Sequence, residues 1–344
     1  MTNFTATFYT KKPVWLNLLC AVSVAAIALT GGTANAEEKF NLANAYGATS
    51  IHAEGNVVFA EALAEASGKD IIVTVHPGGS LGYKSADHFD AVSDGAVDIA
   101  DTPANFLGGI DPFMLLSSMP FLVNSVDEAK ILLEIAKPEY EKILEANGQK
   151  LLYASPWPAS GIWAKEPIKS AADLANLKIR TFDPNGTKAL KAINAAPIQL
   201  AWADVVPQLA TGGIDAVLTS AEGGVSQKFV EHTPYFTEIN FALPLILVHM
   251  NKEAFDNLSA DQQKMVMDAA AIAFDRNWAE VVGRTTRNYD LVKKSGGSVV
   301  TEGTDMLLVD LSKAGDVILE EWLEKTGDRG AAAIATFRAK TGRK

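Results

Sequence analysis

The chain has 344 residues, with 41 acidic against 30 basic side chains, a formal charge of −11 and 48% hydrophobic residues. That balance excludes nucleic acid and anionic membrane surfaces as preferred partners. It leaves room for an anionic ligand, because one arginine inside a cleft outweighs a distant, screened net charge.

Residues 1–36 read as an export signal: Lys11 and Lys12 supply a basic start, residues 14–30 are apolar, and Ala34-Asn35-Ala36 is a small-x-small cleavage site. Cleavage after Ala36 is expected, leaving a mature chain that begins at Glu37 with charge −13 and without the single cysteine, Cys20. An exported chain free of disulfides must be stable through its own core, which suits the bacterial periplasm. The rest has no apolar run near 18 residues, so no membrane insertion is expected after signal removal. Just over 300 mature residues favour two domains.

Six β-rich runs follow, at 71–75, 97–100, 151–154, 178–182, 214–218 and 245–250, most separated by amphipathic stretches. This alternation predicts α/β lobes with mainly parallel sheets. Gly95-Ala96-Val97-Asp98 and Gly212-Gly213-Ile214-Asp215 share a Gly-x-apolar-Asp entry into a run, and the runs exit at Asp101-Thr102 and Thr219-Ser220. Open α/β sheets bind ligands beyond the carboxyl ends of their strands, so two facing sheets would turn these exits toward one cleft. Ordinary helix-to-strand punctuation would explain either copy alone.

From Ser259, an N-cap candidate, a helix is expected to about residue 294, with Val266, Ala270, Phe274, Trp278 and Val282 on one face. At 1.5 Å per residue it would be about 50 Å long, enough to run along both lobes, unless Gly283 breaks it in two. A further amphipathic helix is expected over 305–325, then a basic, solvated tail.

His52, His76, His88, His232 and His249 lack metal-ligand spacing, and no phosphate-binding or dinucleotide fingerprint is present, so neither metal nor cofactor is expected. Gly78-Gly79-Ser80-Leu81-Gly82 matches G-x-S-x-G after an apolar run. A nucleophile elbow is one reading and a glycine-rich turn the other; Pro77 intervenes, and no oxyanion segment lies upstream. Arg180 stands mid-strand in LKIRTFDPN, either pairing with Asp183 or Glu222 or offering its planar fork to a ligand carboxylate. Trp157, Trp163, Phe182 and Trp202 crowd the same stretch, as walls of a site or as core. Tyr46 is a further aromatic candidate.

The LKIR block, the Asn194-Ala195-Ala196-Pro197 turn, the run WADVVPQLATGGIDA over 202–216, the Pro77-Gly78-Gly79-Ser80-Leu81-Gly82 turn and the leader occur in an order that resembles the solute-binding proteins of tripartite ATP-independent periplasmic (TRAP) transporters. The resemblance covers nearly the whole mature chain. It implies a two-lobed periplasmic binding protein fold, a Venus flytrap clamp with a long helix spanning both lobes, that closes on an organic acid without chemical turnover. Small and large membrane subunits would complete a sodium-coupled uptake system. The implied division is 37–157 in lobe I, 158–245 in lobe II, 246–284 back in lobe I, and 285–344 mostly in lobe II. Arg180 matches the family's carboxylate anchor, and Asp101, Phe106, Trp202, Thr219, Ser220 and Glu222 would shape the rest of the pocket. Hydroxyls of Thr102, Ser160, Thr219 or Ser220 would complete the carboxylate's hydrogen bonds.

Two departures bear on the ligand. Many relatives carry a second arginine near the position of Ser160, and a Gln-Glu-Asn-like segment where this chain has Val217-Leu218-Thr219-Ser220-Ala221-Glu222. Their absence, with the tryptophans, favours a monocarboxylate with an apolar or aromatic body, an aromatic or 2-oxo acid, over sugar acids and dicarboxylates. A binding protein of an ATP-driven importer and a secreted hydrolase using Ser80 are the alternatives.

Overall fold

A computed structural model describes residues 37–343; the expected leader, with Cys20, lies outside the described residues. The first lobe opens with β1 (Glu38–Ala43), α1 (Ile51–Ala66), β2 (Ile71–His76), α2 (His88–Ser93), β3 (Ile99–Pro103), α3 (Val126–Ala146) and β4 (Gln149–Pro156). The chain then crosses into β5 (Ser160–Ala164), β6 (Lys178–Thr181), α4 (Pro184–Ala192), β7 (Ala196–Gln199), α5 (Val205–Thr211), β8 (Ala216–Ser220), α6 (Ala221–Ser226) and β9 (Tyr235–Thr237). It returns through β10 (Leu245–Asn251), α7 (Lys252–Asp256), α8 (Ala260–Lys294), β11 (Ser298–Val300) and α9 (Asp305–Thr341).

The strands form two sheets, β2-β1-β3-β10-β4 and β11-β9-β5-β8-β6-β7. Neither is wholly parallel. In each, the first strand after a crossing runs against both neighbours: β5 opposes β8 and β9, and β10 opposes β3 and β4. All six sequence-predicted runs overlap strands, but 97–100 and 214–218 start two residues early. Val97 and Ile214 are not yet in the sheet; their N–H groups donate back to Ala91 and Gln208, six residues earlier, closing the preceding helices. The recurring glycine thus has a cause, since Gly95 and Gly212 both sit at φ 71°, where a side chain would be strained. The recurring aspartate has one too: Asp98 accepts from Asn41 N at 2.7 Å and Asp215 from Lys178 N at 3.3 Å, each reaching the neighbouring parallel strand.

Helix α8 is unbroken at Gly283, and Ser259 caps it in a reciprocal box with Gln262. It packs against α1 and β4 of the first lobe and α6 and β11 of the second. Its buried stripe runs through Val266, Ala270, Trp278, Val281 and Val292. Val282, expected inside, is 61% exposed. Four-residue steps overshoot a helical turn by about 40° each, so four of them carry a residue off the buried face. The expected solvated tail is likewise corrected: α9 continues past a kink at Gly327 (φ 58°, ψ −139°) and buries Ile334 and Phe337, and just beyond it Arg343 pairs with Glu128 at 2.8 Å.

Candidate functional site

A cavity lies between the two sheets. Tyr46, Pro103, Asn105 and Phe106 line it from the first lobe, Trp157, Pro158 and Pro244 from the crossings, and Ser160, Arg180, Phe182, Trp202, Thr219 and Ser220 from the second. Strand β3 and the antiparallel pair β5–β8, in which Ser160 stands opposite Ser220, aim their ends into it.

Arg180 is 2% exposed. Its Nε donates to the carbonyl of Leu200 at 3.1 Å, and its guanidinium lies 5.5 Å from the ring of Trp202 and 6.0 Å from that of Phe182. Among the described residues no carboxylate pairs with it and its two Nη atoms have no hydrogen-bond partner. Both sequence-proposed partners are engaged elsewhere. Asp183 caps α4 through Gly186 N at 2.8 Å, and Glu222 pairs with Arg284. Burial pulls the Arg180 pKa down to about 10, so it stays cationic at neutral pH.

Tyr46 packs edge-on against Trp157, with ring centroids 4.9 Å apart, and lies 6.0 Å from Trp202. Trp157 is fixed by its backbone N–H, which donates to Pro244 O (2.9 Å), and by His52, 4.2 Å away between ring centroids. Trp202 presses so closely on Gly223 that a Cβ there would stand 3.0 Å from its ring. Ser220 both lines the cavity and caps α6, accepting from Gly223 N at 3.2 Å.

Four expected site residues lie behind the lining. Asp101 is buried, accepting from Asn44 Nδ2 at 2.5 Å and Asn56 Nδ2 at 2.8 Å, while Asn44 Oδ1 accepts from Tyr46 N at 2.6 Å. It therefore holds the loop that carries Tyr46, and burial raises its pKa to about 7. Thr102 points the other way along the strand, to His249 Nε2 at 2.8 Å. Trp163 is core: it is fully buried, donates to Ser220 O at 3.1 Å, and packs on Phe229, Phe236 and the bare backbone of Gly224. Glu222 joins the lobes, accepting from Ile51 N at 2.9 Å and Asn288 Nδ2 at 2.6 Å. Ser80 is exposed in a turn, and the next helix begins only at His88, so the strand–elbow–helix geometry of a nucleophile is absent.

Asn105, which the sequence reading did not single out, is 2% exposed in the cavity wall, and both Nδ2 and Oδ1 lack a partner among the described residues. Its signal was positional: it stands two residues beyond the β3 exit.

The description "Bacterial extracellular solute-binding protein, family 7" matches residues 42–326. The chain belongs to this family. It is a TRAP solute-binding protein and not an enzyme; the family's members are periplasmic receptors, and no helix among the described residues is long and apolar enough to cross a membrane. The ectoine/5-hydroxyectoine-binding periplasmic protein UehA of Ruegeria pomeroyi is 27% identical over 329 residues, covering 93% of this chain and 95% of UehA. Among solved structures, the receptor DctP6 of Bordetella pertussis, which binds pyroglutamic acid, is 30% identical at a TM-score of 0.84, covering 88% of this chain and 99% of its own. A marine metagenome TRAP protein specific for pyroglutamate is 27% identical at a TM-score of 0.85, with the same coverage. The two-lobed α/β fold inferred from the sequence is the fold of these proteins.

Proposed function

We propose that this solute-binding protein captures a compact organic monocarboxylate between its lobes and delivers it to small and large TRAP membrane subunits for sodium-coupled uptake. The observation that carries the reading is Arg180: a buried cation, walled by Trp202 and Phe182, with its outer nitrogens free of partners among the described residues. A desolvated guanidinium pairs strongly with a carboxylate and poorly with a neutral solute.

The body of the ligand follows from the rest of the wall. Tyr46, Trp157 and Trp202 offer flat apolar faces, and among the described residues no aspartate or glutamate lines the cavity. A compact, uncharged ring bearing one carboxylate fits this wall better than a dicarboxylate, which would need a second cation. The pyroglutamate-binding relatives, at 27 and 30% identity, support a small cyclic acid. The ectoine-binding relatives suggest a zwitterion; here no carboxylate in the wall would balance its positive charge.

In this reading 37–157 and 246–284 form lobe I, 158–245 and most of 285–344 form lobe II, and cleavage after Ala36 releases the mature protein. Ligand touching both lobes stabilises the closed form by its differential affinity for closed over open. The test is a thermal-shift screen of refolded mature protein against cyclic, aliphatic, 2-oxo, aromatic and sugar acids. Ligand at about 100 times its Kd adds roughly 2.7 kcal/mol and raises Tm by several degrees. A response to neutral solutes but to no carboxylate would overturn the reading.

A further inference from the structure

We infer that Asn105 reads a neutral amide edge on the ligand, so that the site selects a lactam acid over carboxylates of the same size. The inference rests on the carboxylate reading of Arg180. Asn105 is buried in the cavity wall with a carboxamide donor and a carboxamide acceptor that no described residue satisfies. A buried polar atom without a partner costs free energy, and here two sit on one side chain facing a cavity made for a ligand.

The chemistry of the missing partner follows from the donor set. A carboxamide presents one N–H and one C=O side by side. Its complement is a group that presents C=O and N–H side by side in the same plane, which is the cis-amide of a small lactam ring. Other cyclic acids satisfy half of it at most. A cyclic ether offers acceptors alone and leaves Oδ1 unpaired; a carbocycle leaves both atoms unpaired; an amidinium offers donors alone and opposes Nδ2. With Arg180 across the cavity for the carboxylate and the Trp202 and Tyr46 rings at its sides, a five-membered lactam acid satisfies the guanidinium and both amide atoms of Asn105 at once.

The test uses calorimetry on the mature protein, refolded to remove ligand carried from the cell, with three probes of nearly equal shape: 5-oxoproline, tetrahydrofuran-2-carboxylate and cyclopentanecarboxylate. The wild type should bind 5-oxoproline at least about 100-fold more tightly than the other two, as sites built around paired polar groups do. Asn105→Leu should erase that preference while leaving the affinity for cyclopentanecarboxylate equal or higher. Equal affinity of the wild type for all three acids would refute the role of Asn105 and leave Arg180 standing as a carboxylate anchor. Binding of none of them, with Arg180→Ala no different from wild type, would sink both. The wild-type comparison decides the matter even where the variant fails to fold.

Discussion

Arg180→Ala removes the cation that lines the cavity and should weaken acid binding by about 3–5 kcal/mol, measured by calorimetry, because the ligand's carboxylate would be buried alone. Asp101 sets a second test. Its pKa is raised by burial from 3.8 to about 7, so its contribution to stability is full below pH 3.8 and is lost as pH rises through 7. Wild type should therefore lose stability relative to Asp101→Asn over that window, on the order of 1 kcal/mol per pH unit, in urea titrations at pH 4.5 and 7.5. Matching slopes would mean that Asp101 titrates normally. These two residues also mark what a sequence reveals about a site. A charge placed mid-strand between apolar neighbours needs a special environment, and Arg180 was visible for that reason. Whether a polar residue at a strand exit faces the ligand or the scaffold depends on which neighbours close over it. Asp101 turned inward because Asn44 and Asn56 arrive from the loop after β1 and from α1, residues far away in sequence. Trp157 and Trp163 looked alike for the same reason; only the arrival of Phe229 and Phe236 makes the second one core.

At the scale of elements, long periodic segments were legible and short ones were not. Helix α8 was readable from its cap and its freedom from proline, whereas β7, β9 and β11 have three or four residues each, too few for an alternating pattern. Strand β7 even contains Pro197, tolerated because it lies at a sheet edge. The end of α9 was hidden by composition: its basic residues suggest solvent, yet Arg329 pairs with Asp111 at 2.5 Å and Phe337 has no exposure. Truncating that ring in Phe337→Ala should cost about 3–5 kcal/mol of unfolding free energy in denaturant titrations. A loss under about 1 kcal/mol would show that the segment is a loosely held tail after all.

On the scale of the molecule, α8 ties the lobes through a charged seam. Arg276 and Arg284 both reach Glu54 of α1, and Arg284 also faces Glu222 of α6, which in turn accepts from the first turn of α1. Glu222→Ala leaves the Ile51 N–H and Asn288 Nδ2 without their acceptor, while Arg284 keeps Glu54, and a loss of about 1–3 kcal/mol in stability is expected, with weaker ligand binding because the lobes lose a shared contact. Unchanged calorimetric affinity in a folded variant would confine Glu222 to stability. The threading of the sheets has a consequence for how the chain matures. Strand β10 sits between β3 and β4, so the first sheet stays in two pieces until residues 245–251 are available, although the rest of its strands are complete by Pro156. Pairings between such distant segments form slowly. A chain emerging from its N-terminus must release residues through Asn251, about three-quarters of its length, before its first sheet can close.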